Sequence, residues 1–329
     1  MTSTLTYAQA AATALARAMA DDERVVALGE DLGRGGVFGQ YMLDGQTLQQ
    51  RFGAARVIDT PISEANIMGA AVGMALAGLR PVVEMRVIDF ALCGIDELVN
   101  QAAKNRYMFG GQSRIPLIAR MPIGIWTASA AQHSQSLEAW FAHLPGVAVA
   151  CPATPQDNHG LLAAALASGD PIVYLEHKEL WGLRGEVDTA VPVPFGKARI
   201  AREGSDLTVV TWSRTVHEAL KAAEALAAEG MSCEVIDLRS LWPWDRDTVM
   251  ASCARTRRLL VAHEAVQVAG FGAEIAAAVA EETGCPVRRL GAPRIPVGYA
   301  PTLEAEARVD AAKIAAAARA WIGAASSPR

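Results

Sequence analysis

Residues 57–90 read VIDTPISEANIMGAAVGMALAGLRPVVEMRVIDF, and this stretch decides the fold. It opens with a strand end at Val57, and Ser63 is a typical cap for the apolar, Gly- and Ala-rich helix that follows. Glu64 is therefore expected in the first helical turn. The run Pro81–Ile88 predicts a second buried strand, which ends at the Asp-Phe pair behind it. A small-residue helix between two such strands is typical of a parallel sheet.

The rest of the chain continues this alternation of strands and helices, which predicts an α/β protein. A chain of 329 residues is long enough for about two domains. Residues 1–185 are predicted to form a first domain with a parallel sheet, residues 186–200 a linker, and residues 201–329 a smaller domain with a mostly parallel sheet. Helices are predicted at 6–20, 94–108, 138–143, 156–167, 216–229 and 272–282, strands at 24–28, 115–119, 148–150, 172–175, 207–211, 232–237 and 259–263, and loops at 120–136, 176–194 and 238–245.

The composition excludes several classes of protein. A formal net charge of −5, with 51% hydrophobic and 20% charged residues, describes an ordinary globular chain without a basic surface for nucleic acid. No apolar run approaches the length of a membrane span, and the amino terminus lacks a signal-peptide pattern. We therefore expect a soluble, cytoplasmic protein. The five cysteines form no close pairs, so free buried thiols are expected rather than disulfides or a zinc site.

Glu64 and His133 are the first candidates for chemistry. An acid at a helix N-terminus is favourable for electrostatic reasons alone, but a helix that begins at the end of a parallel strand is also where open sheets bind ligands. Gly69 and Gly73 would let a backbone or a ligand approach that helix closely. His133, in AAQHSQ, is either a hydrogen-bonded structural residue or a titrating group whose tautomer is set by its polar neighbours. The residues alone leave both alternatives open.

Three familiar nucleotide-binding and hydrolase motifs are incomplete or absent. The Gly-rich loop Gly29–Gly39 lacks the Lys-Ser/Thr ending of a P-loop and the spacing of a dinucleotide fingerprint, so it is predicted to be a flexible loop. The run Gly270–Gly272 imitates that fingerprint, but Ile275 stands at the third glycine position. The sequence contains no Gly-x-Ser-x-Gly elbow. A nucleotide-binding oxidoreductase and a serine hydrolase are therefore disfavoured.

Three runs carry a resemblance to a known family: residues 57–84, NQAAKNRYMFGGQ at 100–112, and AAQHSQSLEAWFAHLPG at 130–146. They resemble the β chain of the thiamine-diphosphate-dependent decarboxylating component of 2-oxo acid dehydrogenase complexes, and acetoin dehydrogenase β chains are particularly similar. The likeness extends from about Tyr7 to the last helix. It implies a transketolase-like pyrimidine-binding domain followed by a transketolase-like C-terminal domain.

The resemblance also implies a cofactor site for thiamine diphosphate. By this likeness Glu64 hydrogen-bonds a nitrogen of the aminopyrimidine ring, and Phe90, otherwise an ordinary core residue, packs on that ring. Glu30 and Ile62 are implied to lie near the cofactor.

The same resemblance implies a substrate pocket with His133 near the reactive carbon. His133 would then transfer a proton or stabilise the intermediate during acyl transfer to a lipoyl group. Gln132 and Trp126 are implied to line this pocket. Trp126 is unusually bulky for the family, which puts the substrate in doubt.

Transketolase-like enzymes hold Mg²⁺ and the diphosphate through Gly-Asp-Gly followed by Asn, and this pattern is missing. The only Gly-Asp is followed by proline, and no Asn occurs after Asn158. The chain therefore lacks the oxygen ligands for a hard cation, so a partner α chain is expected to supply them in an α2β2 heterotetramer. The resemblance further implies a lipoyl acyltransferase core as a partner. It also implies a monovalent cation such as K⁺, with a simple turn as the alternative, near Leu117, Ala165, Ser168 and Asp170.

The substrate is the least determined feature. MFGG after RY, together with AAQHSQ, slightly favours acetoin over pyruvate, and branched-chain 2-oxo acids are less favoured. A non-catalytic interaction subunit is a further alternative. The presence of Glu64, Phe90 and His133 argues against it.

Overall fold

The computed structural model describes residues 2–37 and 39–323. The chain forms two compact units, and neither is one continuous segment. The first unit comprises the chain up to Ile123 together with Trp140–Phe195, and the second comprises Gly124–Ala139 together with the chain from Gly196 onward. The segment Gly124–Ala139, which falls inside the predicted domain 1–185, thus groups with the second unit. Phe38 of the Gly-rich loop and the end of the predicted domain 201–329 lie outside the described residues.

The first unit is built on a parallel sheet. Its strands are β1 (Thr2–Thr6), β2 (Val25–Gly29), β3 (Met42–Leu43), β4 (Gln46–Thr47), β5 (Val57–Asp59), β6 (Arg80–Glu84), β7 (Ile118–Ile123), β8 (Ala148–Ala150), β9 (Ile172–His177) and β10 (Arg184–Asp188). Six of them lie side by side in the parallel order β8-β9-β7-β6-β2-β5. Strands β1 and β10 form a separate antiparallel pair, and β3 and β4 form a hairpin.

Helices and apolar side chains complete this unit. The helices are α1 (Tyr7–Asp21), α2 (Leu48–Phe52), α3 (Glu64–Leu76), α4 (Ala103–Met108), α5 (Glu138–Ala142), which begins in the segment Gly124–Ala139, and α6 (Pro155–Ala167), with 3-10 turns at Leu32–Arg34, Ile88–Gly94 and Lys178–Leu180 and a π-helical turn at Glu97–Ala102. Leu15 of α1 and Leu161 of α6 pack with Val82 and Ile118 of the sheet in one buried core. Full burial of such a side chain stabilises the fold by roughly 1.5–3 kcal/mol.

The second unit has its own mostly parallel sheet. Its strands are β11 (Arg199–Arg202), β12 (Leu207–Thr211), β13 (Cys233–Asp237), β14 (Ser240–Trp242), β15 (Leu259–Val266) and β16 (Val287–Ala292), and its helices are α7 (Thr215–Ala227), α8 (Arg246–Thr256), α9 (Gly272–Thr283), α10 (Pro301–Ala307) and α11 (Ala311–Gly323). Five strands follow the order β11-β13-β12-β15-β16, in which only the edge strand β11 is antiparallel. The predicted α/β fold class is therefore confirmed.

Several local predictions are confirmed and have visible causes. Helix α1 starts after Thr6, whose hydroxyl accepts the Gln9 N–H at 3.1 Å while the Gln9 side chain accepts the Thr6 N–H at 2.9 Å. Helix α3 starts at Glu64, as predicted, although Ser63 makes no side-chain capping bond.

The strand predicted at Pro81–Ile88 is too long. Strand β6 ends at Glu84, the last residue that is in register with both neighbours, Gly29 of β2 and Arg120 of β7. Strand β2 ends opposite Glu84, whereas β7 continues to Ile123 without β6. Phe90 lies in the 3-10 turn Ile88–Gly94 instead of at a strand end.

Other corrections follow from long-range pairing. The predicted strand 115–119 lies at Ile118–Ile123, because β9 pairs with that register, so the start of the predicted loop 120–136 is strand. The predicted loop 176–194 contains β10, which pairs with β1, a strand about 180 positions earlier in the sequence. The predicted loop 238–245 contains strand β14, and Leu238 and Leu241 in it are fully buried. The 94–108 helix includes the π-helical turn.

None of the described helices is long and apolar enough to cross a membrane.

Candidate active site

The carboxyl edge of the first sheet brings two candidate acids together. Gly29, the last residue of β2, is in register with Asp59 of β5 and Glu84 of β6. Glu30 follows Gly29 directly, and Glu64 begins α3 after the turn that leaves β5. Both carboxylates are half-buried. Burial, and next the neighbouring Glu64 carboxylate, raise the pKa of Glu30.

A salt bridge and a backbone contact hold the chain beside this pair. Asp31 has a left-handed backbone (φ 60°), and its carboxylate pairs with the Arg86 guanidinium. Asp59 accepts the Leu32 N–H at 3.2 Å. The loop after β2 is therefore tied to the strand ends beside it, at least up to the 3-10 turn at Leu32–Arg34.

The 3-10 turn that contains Phe90 packs against the start of α3 through a glycine. The 3-10 turn that contains Phe90 ends at Gly94, where an added Cβ would lie 2.9 Å from the Glu64 carbonyl oxygen and 3.2 Å from Met68 Cβ. Only glycine fits this close approach. Gly69 and Gly73 make no close backbone contact, since an added Cβ would meet Glu97 Cγ at an ordinary 3.5 Å at Gly69 and no atom within 4 Å at Gly73. Approach of a ligand to this face stays a prediction.

Ile62 lies on the turn before α3 with 78% of its surface exposed. An exposed large apolar side chain next to two half-buried acids is an available contact surface for a ring. Glu30, Ile62, Glu64 and Phe90 thus all lie on, or directly after, the elements that meet at this edge.

A buried ionic cluster lies under the same edge, and sequence reasoning missed it. The Arg120 guanidinium is fully buried and donates to Glu176 Oε2 at 2.6 Å, while its Nη1 lies 3.7 Å from Glu84 Oε2. Gln40 and Tyr41 each donate to Glu84 at 3.1 Å. Burial, only partly offset by Arg120, raises the pKa of Glu84 to about 7. The sequence did offer a signal: a charged residue, Glu84, Arg120 or Glu176, lies in or directly after each of three apolar runs that were predicted to be strands.

The second candidate set lies in the second unit. Trp126, Gln132 and His133 are exposed on the segment Gly124–Ala139, and Ser134 beside them is buried. The Gly124 N–H donates to the Gln135 carbonyl at 3.0 Å, so residues 124–135 form a closed loop with His133 near its end.

The oxygens of the residues predicted to bind a monovalent cation already have partners within the chain. The Ser168 carbonyl accepts an N–H of Arg80 at 2.7 Å, and the neighbouring Leu166 carbonyl accepts the same guanidinium nitrogen. Asp170 pairs with Arg106. The Leu117 carbonyl accepts the Ile172 N–H at 2.9 Å, and the Ala165 carbonyl accepts the Ser168 N–H at 3.0 Å. Two guanidinium groups therefore supply positive charge at this turn, and the residues fit an added cation poorly.

Across residues 2–37 and 39–323, no three His, Cys, Asp or Glu side chains are grouped so that they could hold a metal ion. None of the five cysteines, all of which lie within the described residues, forms a disulfide.

Comparison with known sequence families shows to which class of protein the chain belongs. The family described as "Transketolase, pyrimidine binding domain" matches residues 3–182, and "Transketolase, C-terminal domain" matches residues 196–314. A solved structure titled "Split gene transketolase, inactive beta4 tetramer" superposes with a TM-score of 0.82 and 22% identity over 97% of this chain and 99% of that chain. The protein is thus transketolase-like, with both of the implied domains.

Curated relatives narrow the family. The β subunit of acetoin:2,6-dichlorophenolindophenol oxidoreductase from Cupriavidus necator is 43% identical over 93% of this chain and 94% of its own length. The β subunit of the pyruvate dehydrogenase E1 component from Rickettsia felis is 40% identical over 91% and 93%. The 2-oxoisovalerate dehydrogenase β subunit from Bacillus subtilis is 39% identical over 96% and 98%. The chain belongs to this family of β subunits of thiamine-diphosphate-dependent acetoin and 2-oxo acid dehydrogenases.

Proposed function

We propose that this β subunit works on acetoin, or on a 2-oxo acid such as pyruvate, and helps to pass the acyl group to a lipoyl carrier. The observation that carries the proposal is the pair of half-buried carboxylates, Glu30 and Glu64, at the carboxyl edge of the first sheet. A carboxylate whose pKa is raised, as that of Glu30 is, beside a second carboxylate is suited to holding a proton. The 43% identity to an acetoin oxidoreductase β subunit supports the slight preference for acetoin.

Four residues of the first unit fit the aminopyrimidine half of thiamine diphosphate. Glu64 would hydrogen-bond a ring nitrogen, Phe90 would pack on the ring, and Glu30 and Ile62 would complete its surroundings. When bound, this cofactor supplies a carbon nucleophile and an electron sink. The protein side of the reaction is then orientation of the ring and control of one proton at Glu64.

His133 is proposed to act on the substrate. An exposed imidazole can donate from one ring nitrogen and accept at the other. Gln132 and Trp126, exposed on the same loop, would contact the substrate. A bulky indole at position 126 favours a small substrate over a branched one.

We further propose that an α chain completes the site in an α2β2 assembly in the cytoplasm. Mg²⁺ requires several oxygen ligands in a fixed geometry. The described part of the chain offers no cluster of acids for it, so the α chain would hold Mg²⁺ and the diphosphate. A lipoyl acyltransferase core would then receive the acyl group.

A bound K⁺ is not part of this proposal. The Arg80 guanidinium donates to two carbonyl oxygens at the turn around Ser168, and Arg106 neutralises Asp170. We propose that Arg80 takes the place of the monovalent cation that the family resemblance implies.

The deciding experiment is dye-coupled oxidation by this chain co-purified with its α partner. Acetoin, pyruvate and 3-methyl-2-oxobutanoate would be compared with and without thiamine diphosphate. Cofactor-dependent turnover of acetoin is the expected result. If only pyruvate or only the branched acid is turned over, that compound is the substrate instead of acetoin. A well-formed assembly that turns over none of the three would favour a non-catalytic interaction subunit.

A further inference from the structure

We propose that Glu304 and Glu264 are positioning residues that hold the loop carrying Trp126 and His133. This inference rests on the proposed function of His133. Neither glutamate belongs to that loop, and each uses its carboxylate to bind a backbone amide of it.

Glu304 is the stronger of the two anchors. It lies on α10 with 7% of its surface exposed, and its Oε2 accepts the Ala128 N–H at 2.8 Å. Its other oxygen accepts Arg308 Nη2 at 2.8 Å. Since both oxygens are engaged, the carboxylate has a fixed orientation, and an ionised acceptor makes a stronger bond to an amide than a neutral one.

The backbone that Glu304 holds is in an uncommon conformation. Ala128 has φ 53° and Ala130 has φ 58°, both in the left-handed region that residues with a Cβ rarely adopt. Such a conformation persists only when the surroundings impose it. The bond from the Ala128 amide to Glu304 is a direct restraint on this part of the loop.

Glu264 holds the same loop three residues earlier. Its Oε1 accepts the Ile125 N–H at 2.7 Å, and its Oε2 lies 3.4 Å from Arg214 Nη1. The two amides flank Trp126, so the position of the indole depends on both glutamates.

Packing alone does not fix this loop. A cavity of about 410 Å³ in the second unit is lined by Ile125, Ser134 and Gln135 of the loop and by Glu264. Space next to a loop removes the van der Waals contacts that would otherwise restrain it. The hydrogen bonds to the two glutamates therefore carry much of the restraint.

The test uses the assembled α2β2 enzyme and the variants E304A and E304Q, with E306A as the control. Glu306 lies on the same helix but is exposed. In E304A, hydrogen exchange of peptides covering residues 124–131 should accelerate by roughly tenfold or more, because the Ala128 amide loses a charged acceptor. The E306A variant should exchange like the wild type.

Kinetics provide the second readout. In E304A, kcat should fall by roughly tenfold while the KM for thiamine diphosphate stays unchanged, since the cofactor residues are elsewhere. E304Q keeps an oxygen for the Ala128 amide and should recover part of both losses. Adding A128G to E304A should also recover part of kcat, because glycine adopts a positive φ without imposed restraint.

The outcomes separate the two proposals. Wild-type exchange of residues 124–131 in both E304A and E304Q would overturn the positioning role. If H133N retains full kcat, the proposed function of His133 fails, whereas the exchange data still decide whether Glu304 holds the loop.

Discussion

Glu64 is the residue on which the proposed chemistry depends most directly. It occupies the first position of α3 and lies near Glu30, and its backbone carbonyl packs closely on Gly94. A purely structural acid at a helix N-terminus contributes about 0.3–1 kcal/mol to stability and nothing to turnover. The two roles therefore predict different results for an isosteric change.

We expect E64Q to leave assembly and thermal stability nearly unchanged and to lower cofactor-dependent kcat by roughly 100-fold or more, the effect of removing a proton-transfer group. The measurement is dye-coupled turnover of the α2β2 enzyme. E23Q, at an exposed turn, is the control and should retain full activity. Near-normal turnover in E64Q would show that the acid is structural.

His263 explains a glycine motif that sequence reasoning could only reject. Its fully buried ring donates from Nδ1 to the Ala265 carbonyl at 3.0 Å and stacks on Trp212 with the ring centroids 5.1 Å apart. An added Cβ would come within 2.7 Å of this ring at Gly270 and within 2.8 Å at Gly272. These glycines make room for a histidine and not for a nucleotide.

The same histidine predicts a dependence of stability on pH. Burial lowers the pKa of His263 to about 4, below its ordinary value of 6.5. Between these values the unfolded chain binds the extra proton, so His263 lowers the free energy of unfolding as the pH falls from 6.5 to 4, by up to about 3 kcal/mol. We expect the stability difference between wild type and H263N, from urea titrations, to shrink as the pH falls.

A substitution of Glu138 should change the free energy of unfolding with the opposite dependence on pH. Burial raises its pKa to about 7, and Trp212 Nε1 donates to it at 3.0 Å. Here the folded state holds the extra proton, so the contribution of Glu138 is lost as the pH rises from 4.5 to 7. The difference between wild type and E138Q should therefore shrink with rising pH. Parallel trends in the two variants would contradict the assignment of both groups.

At the scale of elements, the turn after α6 depends on a side chain from β6. Arg80 begins that strand and donates to the carbonyls of Leu166 and Ser168, which lie on either side of Ala167 at the helix end. A helix C-terminus presents unpaired carbonyls and a partial negative charge, so a guanidinium satisfies it directly.

We expect the wild-type enzyme to have the same Tm and activity in potassium chloride and in tetramethylammonium chloride. R80A should lower Tm by roughly 3–6 °C, because it removes charge-assisted bonds, and K⁺ should restore part of this loss. R24A removes only an exposed pair with Asp22 and serves as the control. A wild-type enzyme that requires K⁺ would refute the replacement by Arg80.

Local sequence signals predicted those elements whose causes are local. The helix predicted at 6–20, the start of α3 at Glu64 and the helix α9 follow from neighbouring residues. Strand β10 was missed because its partner, β1, is far away in the sequence. Strand β6 was predicted to be too long because its end depends on the neighbouring strands. Glu304 could not be found from sequence, since its contact with Ala128 spans 176 positions.

At the scale of the whole molecule, the proposal gives the chain only part of a cofactor site. Four residues are proposed to bind the aminopyrimidine, whereas the described residues offer no acidic cluster for Mg²⁺. A ligand that contacts half of its site gains too little interaction to offset the loss of its freedom.

We therefore expect calorimetry to show thiamine diphosphate with Mg²⁺ binding to this chain alone at least about 100-fold more weakly than to the α2β2 assembly, since its charged half lacks ligands. E64Q assembled with the α chain is the comparison that isolates the aminopyrimidine contact. Tight binding to the isolated β chain would refute a shared site.

The grouping of residues 124–139 with the second unit has a consequence for protein engineering and for divergence within the family. A chimaera joined at residue 196 would take Trp126 and His133 from one parent and Glu264 and Glu304 from the other. Recombination at this boundary would therefore separate a loop from its anchors, and exchanging residues 124–139 together with the C-terminal half would keep them matched.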